Sequence, residues 1–574
     1  MIRSLPVLLL VLFLTACGRE AAPPASAPVA SPEALKKHSE EFRREVIRVT
    51  DGVYVAVGFG IANSILLEGE DGVIIVDVME TLESGEAVAA EFRKITDKPV
   101  KAIIYTHSHP DHIGGGPAYL LPGQEMPPVY AHADAQGNMD KISSVLQPII
   151  TKRAFRMYGN LLSDEEMVNV GIGGHLDLDE NSTIRILRVT RDFRDRLEDT
   201  VAGIRFELVH APGETTDQLF VWLPDKKVLL PGDNFYKAFP NLYTIRGTSY
   251  RDPRQWADSL DLMRALRPEY LVPSHTRPLK GADYIYNTLT DYRDAIRYVY
   301  DQSIRLINQG LMPDELATRI QLPPHLAKSP FLQEFYGKPS WSARNIFNGN
   351  LGWFSGNPSE LQPLPPDETA RRMLELAGGE AAFTDKIVEA ARQGQNQWVL
   401  QLTDHALRAN PDNGKAKAAR IAALKALGEA EANPNARHYY LVTMRELMGE
   451  IVLKDRAVRP KPEMLAAMPL SIFFDGLSVN LDAEASADTV IRVGFTFTDS
   501  SERYTYIVRR GVSEVLPGIA DDVDIHVRVS GQVFKEMLAQ LRNPAITIAK
   551  DFEVVKGGKL DFIRFMRLFV PDVE

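Results

Sequence analysis

Thr106-His107-Ser108-His109-Pro110-Asp111-His112-Ile113-Gly114-Gly115 is the stretch on which the reading of this chain turns. It follows directly on Val100-Lys101-Ala102-Ile103-Ile104-Tyr105, a β-rich run that predicts a strand. Loops leaving the carboxyl edge of a sheet carry function more often than packing. Three imidazoles and one carboxylate within six residues would fill a core badly, whereas His and Asp together suit zinc, manganese or iron. His-x-His lets two side chains reach one metal, and the Asp-His that follows turns the next pair toward a second. Metal binding through His107, His109, Asp111 and His112 is therefore expected.

The rest of the chain limits what can join them. At 574 residues it is too long for one ordinary domain, and 45% hydrophobic with 25% charged residues is the balance of a globular protein. A formal charge of −11 excludes the electrostatic footprint of a nucleic-acid binder. One cysteine excludes both a disulfide framework and a cysteine-built zinc site. From about 45 to 295, strand candidates such as Val53–Val57 and Gly72–Asp77 alternate with helical spacing over Ser84–Ile95, an α/β layered pattern. From about 296 to 455 strands disappear and a degenerate helix–turn–helix repeat takes over. From about 460 onward a hairpin (Thr489–Thr498 with Glu502–Arg509), a strand at Val523–Val529 and a helix at Gly531–Leu541 predict a small α+β module.

His-x-His-x-Asp-His resembles the signature of the metallo-β-lactamase superfamily, whose fold is an αβ/βα sandwich with a metal site at one edge. Further motifs follow in order: Ala211-Pro212-Gly213-Glu214-Thr215, Pro231-Gly232-Asp233 and Pro273-Ser274-His275. The resemblance implies that His107, His109 and Glu214 hold one metal, that Asp111, His112 and His275 hold the other, and that Asp233 bridges them. Two Zn2+ ions are expected, with Mn or Fe as alternatives. Two metals about 3.5–4 Å apart can share a hydroxide and clamp an oxyanion. His132, His175 and His210 are read as structural.

Glu214 in place of the superfamily's usual histidine resembles the alkylsulfatase branch. So do Asn241-Leu242-Tyr243-Thr244-Ile245-Arg246-Gly247 with Arg251-Asp252, and Arg153-Ala154-Phe155-Arg156-Met157-Tyr158-Gly159-Asn160. Tyr336-Gly337 and Leu351-Gly352-Trp353-Phe354 are similar to that branch's helical dimerisation domain, and the last module to its sterol-carrier-protein-like domain. The implied organisation is a catalytic domain over 41–298, a dimerisation domain over 299–455 and a C-terminal domain over 456–574. Tyr158, Asn160, Asn241, Arg246 and Arg251 are then expected to bind substrate, since guanidinium forks match sulfate oxygens bidentately. Where the branch is expected to have Leu-His-Asn, with the histidine as proton donor, this chain has Phe239-Pro240-Asn241. Tyr158 or Lys237 is expected to serve instead, with Asp111 as the third catalytic group.

Before residue 18, Arg3 and the apolar run Leu5–Leu14 suit a secretory signal and are too short to span a bilayer. Leu14-Thr15-Ala16-Cys17 resembles the bacterial lipoprotein signal, which makes Cys17 the expected lipidation site. Residues 18–40, rich in Pro and Ala, read as a tether. The combined expectation is a lipid-anchored, periplasm-facing hydrolase of the cell envelope, at the outer membrane, homodimeric and acting on a small sulfate ester with no nucleic-acid partner. Two alternatives stand beside it. One is the same fold acting on a phosphodiester or lactone, and the other a retired hydrolase that binds lipid or surfactant.

Overall fold

The computed structural model describes residues 31–142 and 145–569, so Cys17 and the signal segment lie outside the described residues. Seven strands form the first sheet in sequential order: β1 (Glu45–Thr50), β2 (Val53–Val57), β3 (Ser64–Glu68), β4 (Val73–Val76), β5 (Val100–Ile104), β6 (Val129–His132) and β7 (Arg191–Phe193). The sheet is antiparallel from β1 to β4 and parallel from β4 to β7. The second sheet has six strands, β8 (Arg196–Val201), β9 (Ile204–His210), β10 (Leu219–Leu223), β11 (Val228–Leu230), β12 (Tyr270–Leu271) and β13 (Leu279–Lys280), again in sequential order.

The two sheets pack face to face. Val55, Ile65, Ile74 and Ile104 of the first meet Phe206, Leu208, Val221 and Leu230 of the second in one buried cluster. β4 is buried at all four positions, because the helix Leu82–Phe92 covers its outer face while the second sheet covers its inner one. That helix starts at Thr81, whose hydroxyl accepts from Ser84 N while the Ser84 hydroxyl accepts from Thr81 N. Helices Pro253–Ala265 and Ala282–Ile307 cover the second sheet through Trp256, Leu260, Ile285, Leu289 and Tyr292. Helix, sheet, sheet, helix is the expected αβ/βα sandwich.

Ala282–Ile307 is continuous across residues 298 and 299 and leads into a wholly helical part running to Pro434–Met448. A third sheet, β14 (Val490–Phe497), β15 (Arg503–Arg509), β16 (Val512–Pro517), β17 (Ile525–Val529) and β18 (Glu553–Lys556), has order β16-β15-β14-β17-β18 and a core rich in phenylalanine.

The tether expected over 18–40 ends sooner than its composition suggests. Ser31 caps a helix, Pro32–His38, which runs into a 3-10 turn, Ser39–Phe42. Leu35 and His38 are buried, and the His38 ring stacks on Phe335 and shares a hydrogen bond with the Gly171 carbonyl at 2.8 Å. Docking, rather than local propensity, holds so short a helix.

Candidate metal centre

All seven expected donors meet at one edge of the sandwich. The loop after β5 supplies His107, His109, Asp111 and His112; the loop between β9 and β10 supplies Glu214; the turn after β11 supplies Asp233; and the turn after β12 supplies His275. Their ligand atoms fall into three groups within 4.8 Å: His107–His112–Asp233, Asp111–His112–His275 and His109–Glu214–Asp233. Asp233 Oδ2 lies 3.2 Å from His275 Nε2 and 3.5 Å from both His107 Nε2 and His112 Nε2. Asp111 Oδ2 lies 3.3 Å from His112 Nε2 and 3.5 Å from His275 Nε2. His107, His112, Glu214, Asp233 and His275 are buried, whereas His109 and Asp111 are partly open to solvent and mark the mouth.

The donor set fits divalent metal. His107 Nε2, His112 Nε2 and Asp233 Oδ1 are buried without hydrogen-bond partners among the described residues, an expensive arrangement unless a cation completes it. Their other faces are occupied. His112 Nδ1 meets Asp77 Oδ2 at 2.8 Å, His107 Nδ1 meets the Thr106 hydroxyl at 3.1 Å, and His275 Nδ1 meets the Ile61 carbonyl at 2.8 Å. Carboxylate and carbonyl partners at Nδ1 turn Nε2 toward the metal.

The local backbone serves this arrangement. Asp77 also accepts from Thr106 N, Thr106 Oγ1 and Ser274 Oγ, at 2.8–2.9 Å. It does so from φ +57, with Met79 at φ +68 and Thr276 beside His275 at φ +67. Left-handed backbone at non-glycine residues persists where the surroundings over-determine it, commonly at functional sites. Gly114 is required by a close approach, since a Cβ there would lie 1.9 Å from the Glu80 carbonyl oxygen.

Charge within the cluster follows from these distances. Burial works to raise the Asp233 carboxyl, but His275, His112 and His107 hold it well below the carboxylate range. Burial works to lower His112, but Asp233, Asp111 and Asp77 push it well up. Burial lowers His109, and the positive charges of His107, Arg246 and Arg251 lower it further.

Beside the clustered donors lie the residues expected to bind an anion. Arg251 is buried and donates through Nη1 to Glu214 Oε1 at 2.8 Å and to the Asn241 carbonyl at 2.6 Å, while its Nε and Nη2 have no partner among the described residues. Both polar atoms of the Asn241 side chain are likewise buried and unpartnered. Arg246 is half-buried beside Tyr158, and Arg153 fixes its loop by donating to the carbonyls of Ile245 (2.5 Å) and Arg246 (2.9 Å). The Tyr158 hydroxyl lies 3.2 Å from that of Tyr336, and burial pushes its pKa up.

Two expected residues are placed differently. The Lys237 ammonium pairs with Glu41 at 2.5 Å, and none of its hydrogen bonds or ion pairs among the described residues reaches a metal donor. The docked Ser39–Phe42 turn claims the charge expected to protonate a leaving group. Asn160 donates its amide nitrogen to the Leu176 and Leu178 carbonyls, at 2.9 and 3.4 Å, and so braces that loop, while its Oδ1 is buried without a partner among the described residues.

Three residues were missed. Asp77 closes an apolar strand with a carboxylate, which was a signal available in the sequence. Tyr236 donates to Glu214 Oε2 at 3.1 Å, and Tyr336 reaches in from the helical part.

The chain matches the model of the metallo-β-lactamase superfamily over residues 57–275, of alkyl sulfatase dimerisation over 312–450 and of the alkyl sulfatase C-terminal domain over 459–571. It is 38% identical over 520 residues to a linear primary-alkylsulfatase of Pseudomonas sp. (strain ATCC 19151), covering 88% of this chain and 98% of the relative. It is 28% identical over 542 residues to the alkyl/aryl-sulfatase BDS1 of Saccharomyces cerevisiae (strain ATCC 204508 / S288c), covering 91% of this chain and 82% of that one. The solved structure of the stereoselective inverting sec-alkylsulfatase Pisa1 from Pseudomonas sp. superposes with a TM-score of 0.84 at 25% identity, covering 92% of this chain and 84% of its own. Sandwich, helical part and C-terminal module thus agree with one lineage from end to end, and the chain belongs to the alkylsulfatase family of the metallo-β-lactamase superfamily.

Proposed function

We propose that this chain is a metal-dependent hydrolase of sulfate esters, with alkyl sulfates as the substrate class. The observation that carries this reading is the buried Arg251, tied to the candidate donor Glu214 and holding two nitrogens, Nε and Nη2, without partners among the described residues beside the equally unpartnered Asn241 amide. A sulfate monoester carries one negative charge over three oxygens, which a guanidinium fork and neutral donors match. Divalent metal ions bound at the seven donors would supply Lewis acidity, activating water and offsetting charge at the ester.

The chain's own groups do the rest. Arg246 and Arg251 hold the sulfate, and Asn241 orients it. Tyr158, kept protonated by burial, is the donor assigned to the leaving oxygen, with Tyr336 setting its hydroxyl. Proline at 240 takes no part through its side chain. Its carbonyl packs on Gly337, where a Cβ would lie 2.0 Å away, and so seats the Asn241 loop against the segment bearing Tyr336.

Two Zn2+ ions are proposed, divided as the sequence implies. The compact group Asp111–His112–His275 supports one position, and the recurrence of Asp233 in the other two groups supports its bridging role. A homodimer is proposed through the helical part, supported by its match to the dimerisation model and by Trp353 and Leu376, which are 70% and 81% exposed. Lipid attachment at Cys17 and a periplasm-facing position at the outer membrane are proposed on the signal motif alone.

A panel of alkyl sulfates, phosphodiesters and lactones assayed with the zinc-loaded protein tests the central reading. Turnover of alkyl sulfates is the expected result. Turnover confined to phosphodiesters or lactones overturns the substrate assignment.

A further inference from the structure

The turn that carries Asp77 also carries a buried carboxyl with no role so far. Glu80 is 2% exposed. Its Oε1 accepts the backbone N–H groups of Ile61 at 3.1 Å and Asp177 at 3.2 Å, and its Oε2 is buried without a partner. Burial pushes the carboxyl up to about 8, and the nearby Asp111 adds to the shift. Gly60 is fitted to this group, because a Cβ there would lie 2.4 Å from both carboxyl oxygens.

Ile61 is engaged from both sides. Its N–H goes to Glu80 and its carbonyl receives the Nδ1 proton of His275 at 2.8 Å. A carbonyl can only accept, so this bond sets the imidazole tautomer that presents a lone pair at Nε2. Two residues on, Asn63 N donates to the Ser274 carbonyl at 2.6 Å. Asn63 Nδ2 donates to the carbonyls of Pro273 at 3.0 Å and Thr276 at 2.8 Å. Residues 60–63 thus clamp the turn in which Thr276 sits at φ +67, a conformation that a β-branched residue keeps only when held.

We propose that Glu80 is a positioning residue of the metal centre: by binding the Ile61 and Asp177 amides it fixes the 60–63 loop, and through that loop the orientation and tautomer of His275. Among the described residues its side chain makes no hydrogen bond to any of the seven donors, so it acts through the amides it binds and the 60–63 loop they belong to.

The inference rests on the metal-centre reading and is tested by metal binding rather than turnover. Full-length protein is stripped with a chelator and titrated with Zn2+, and separately with Co2+ to read the ligand-field spectrum. Glu80→Met keeps the volume and removes both acceptor oxygens. It is expected to weaken binding at one of two metal equivalents about tenfold or more, within the range for outer-shell partners, and to alter the Co2+ spectrum. Glu80→Gln keeps an acceptor oxygen and is expected to stay within about threefold of wild type, the rescue a purely steric role would not require. Gly60→Ala, which displaces the carboxyl without altering it, should follow Glu80→Met. Wild-type affinity in both Glu80→Met and Gly60→Ala, or losses in Glu80→Gln as large as in Glu80→Met, overturns the proposal. If Glu80→Met does not fold, the contrast between Gly60→Ala and Glu80→Gln decides by the same criteria. Wild-type protein taking up no metal would instead overturn the metal-centre reading beneath it.

Discussion

Arg251 and Glu214 form a buried ion pair at 2.8 Å in which the carboxylate belongs to the donor cluster and the guanidinium to the proposed sulfate site. One contact thereby couples two sites, and the two arginines should separate on mutation. Arg246→Ala should lower alkyl-sulfate turnover about a hundredfold with metal content unchanged, because a donor to developing charge is lost. Arg251→Ala should lower turnover at least as much and also reduce bound metal, since Glu214 keeps its burial and loses its counter-charge. Turnover assays with metal analysis on the same preparations check this, and Arg246→Lys should recover only part of the loss.

Asp77 offers a cleaner test of the metal set. Asp77→Asn keeps the volume and suits the left-handed backbone at φ +57, yet weakens the charge-assisted bond to His112 Nδ1. Metal affinity should fall about 10–100-fold with little change in fold, read by zinc titration and circular dichroism. Asp233→Ala should reduce total bound metal more than His275→Ala, because Asp233 belongs to two of the three donor groups and His275 to one.

Acid should destabilise the metal-free protein in part through His38. Burial lowers this imidazole from 6.5 to about 4, so between those values the unfolded chain binds the proton and the folded chain does not. Its contribution is intact above about pH 6.5, falls as pH falls, and reaches a loss of about 3 kcal/mol near pH 4. Denaturant unfolding from pH 7 to 4 should show this slope, reduced in His38→Phe.

Light scattering across micromolar concentrations should give the mass of a dimer, since Trp353 and Leu376 are too exposed for a lone helical array. A monomer mass throughout would count against pairing.

Cys17→Ser should abolish acylation and release the protein from membranes or leave it unprocessed, read by fractionation and mass spectrometry. Membrane retention equal to wild type with unmodified Cys17 would contradict the anchor.

The seven residues that cluster as candidate donors were legible because four lie within six residues and the other three follow as short motifs in chain order. The strand ending at Ile104 and the helix beginning at Leu82 were legible from their periodicity. What escaped depends on pairing through space. Arg251 meets Glu214 across 37 residues, and Tyr158 meets Tyr336 across 178, separations at which no local pattern survives. The pairing of Lys237 was hidden for the same reason, its partner Glu41 lying 196 residues earlier, just after the segment read as a tether. Docking on Gly171 and Phe335 folds that segment, and neither neighbour can be inferred from Pro32–His38 itself.

Tyr158 ends a helix, Gln147–Tyr158, that the helical part grips twice: Arg156 pairs with Glu446 through two bonds of 2.7 and 2.8 Å, and the His438 ring meets the Met157 carbonyl at 3.1 Å. Cutting the chain after residue 298 would therefore leave a sandwich with its metal donors complete but its tyrosine pair halved and the helix beneath it loose. Recombinant hybrids that graft one relative's sandwich onto another's helices would inherit mismatched halves of that tyrosine pair. Glu446 and His438, neither of them in the donor cluster, would thus govern where the Tyr158 hydroxyl sits.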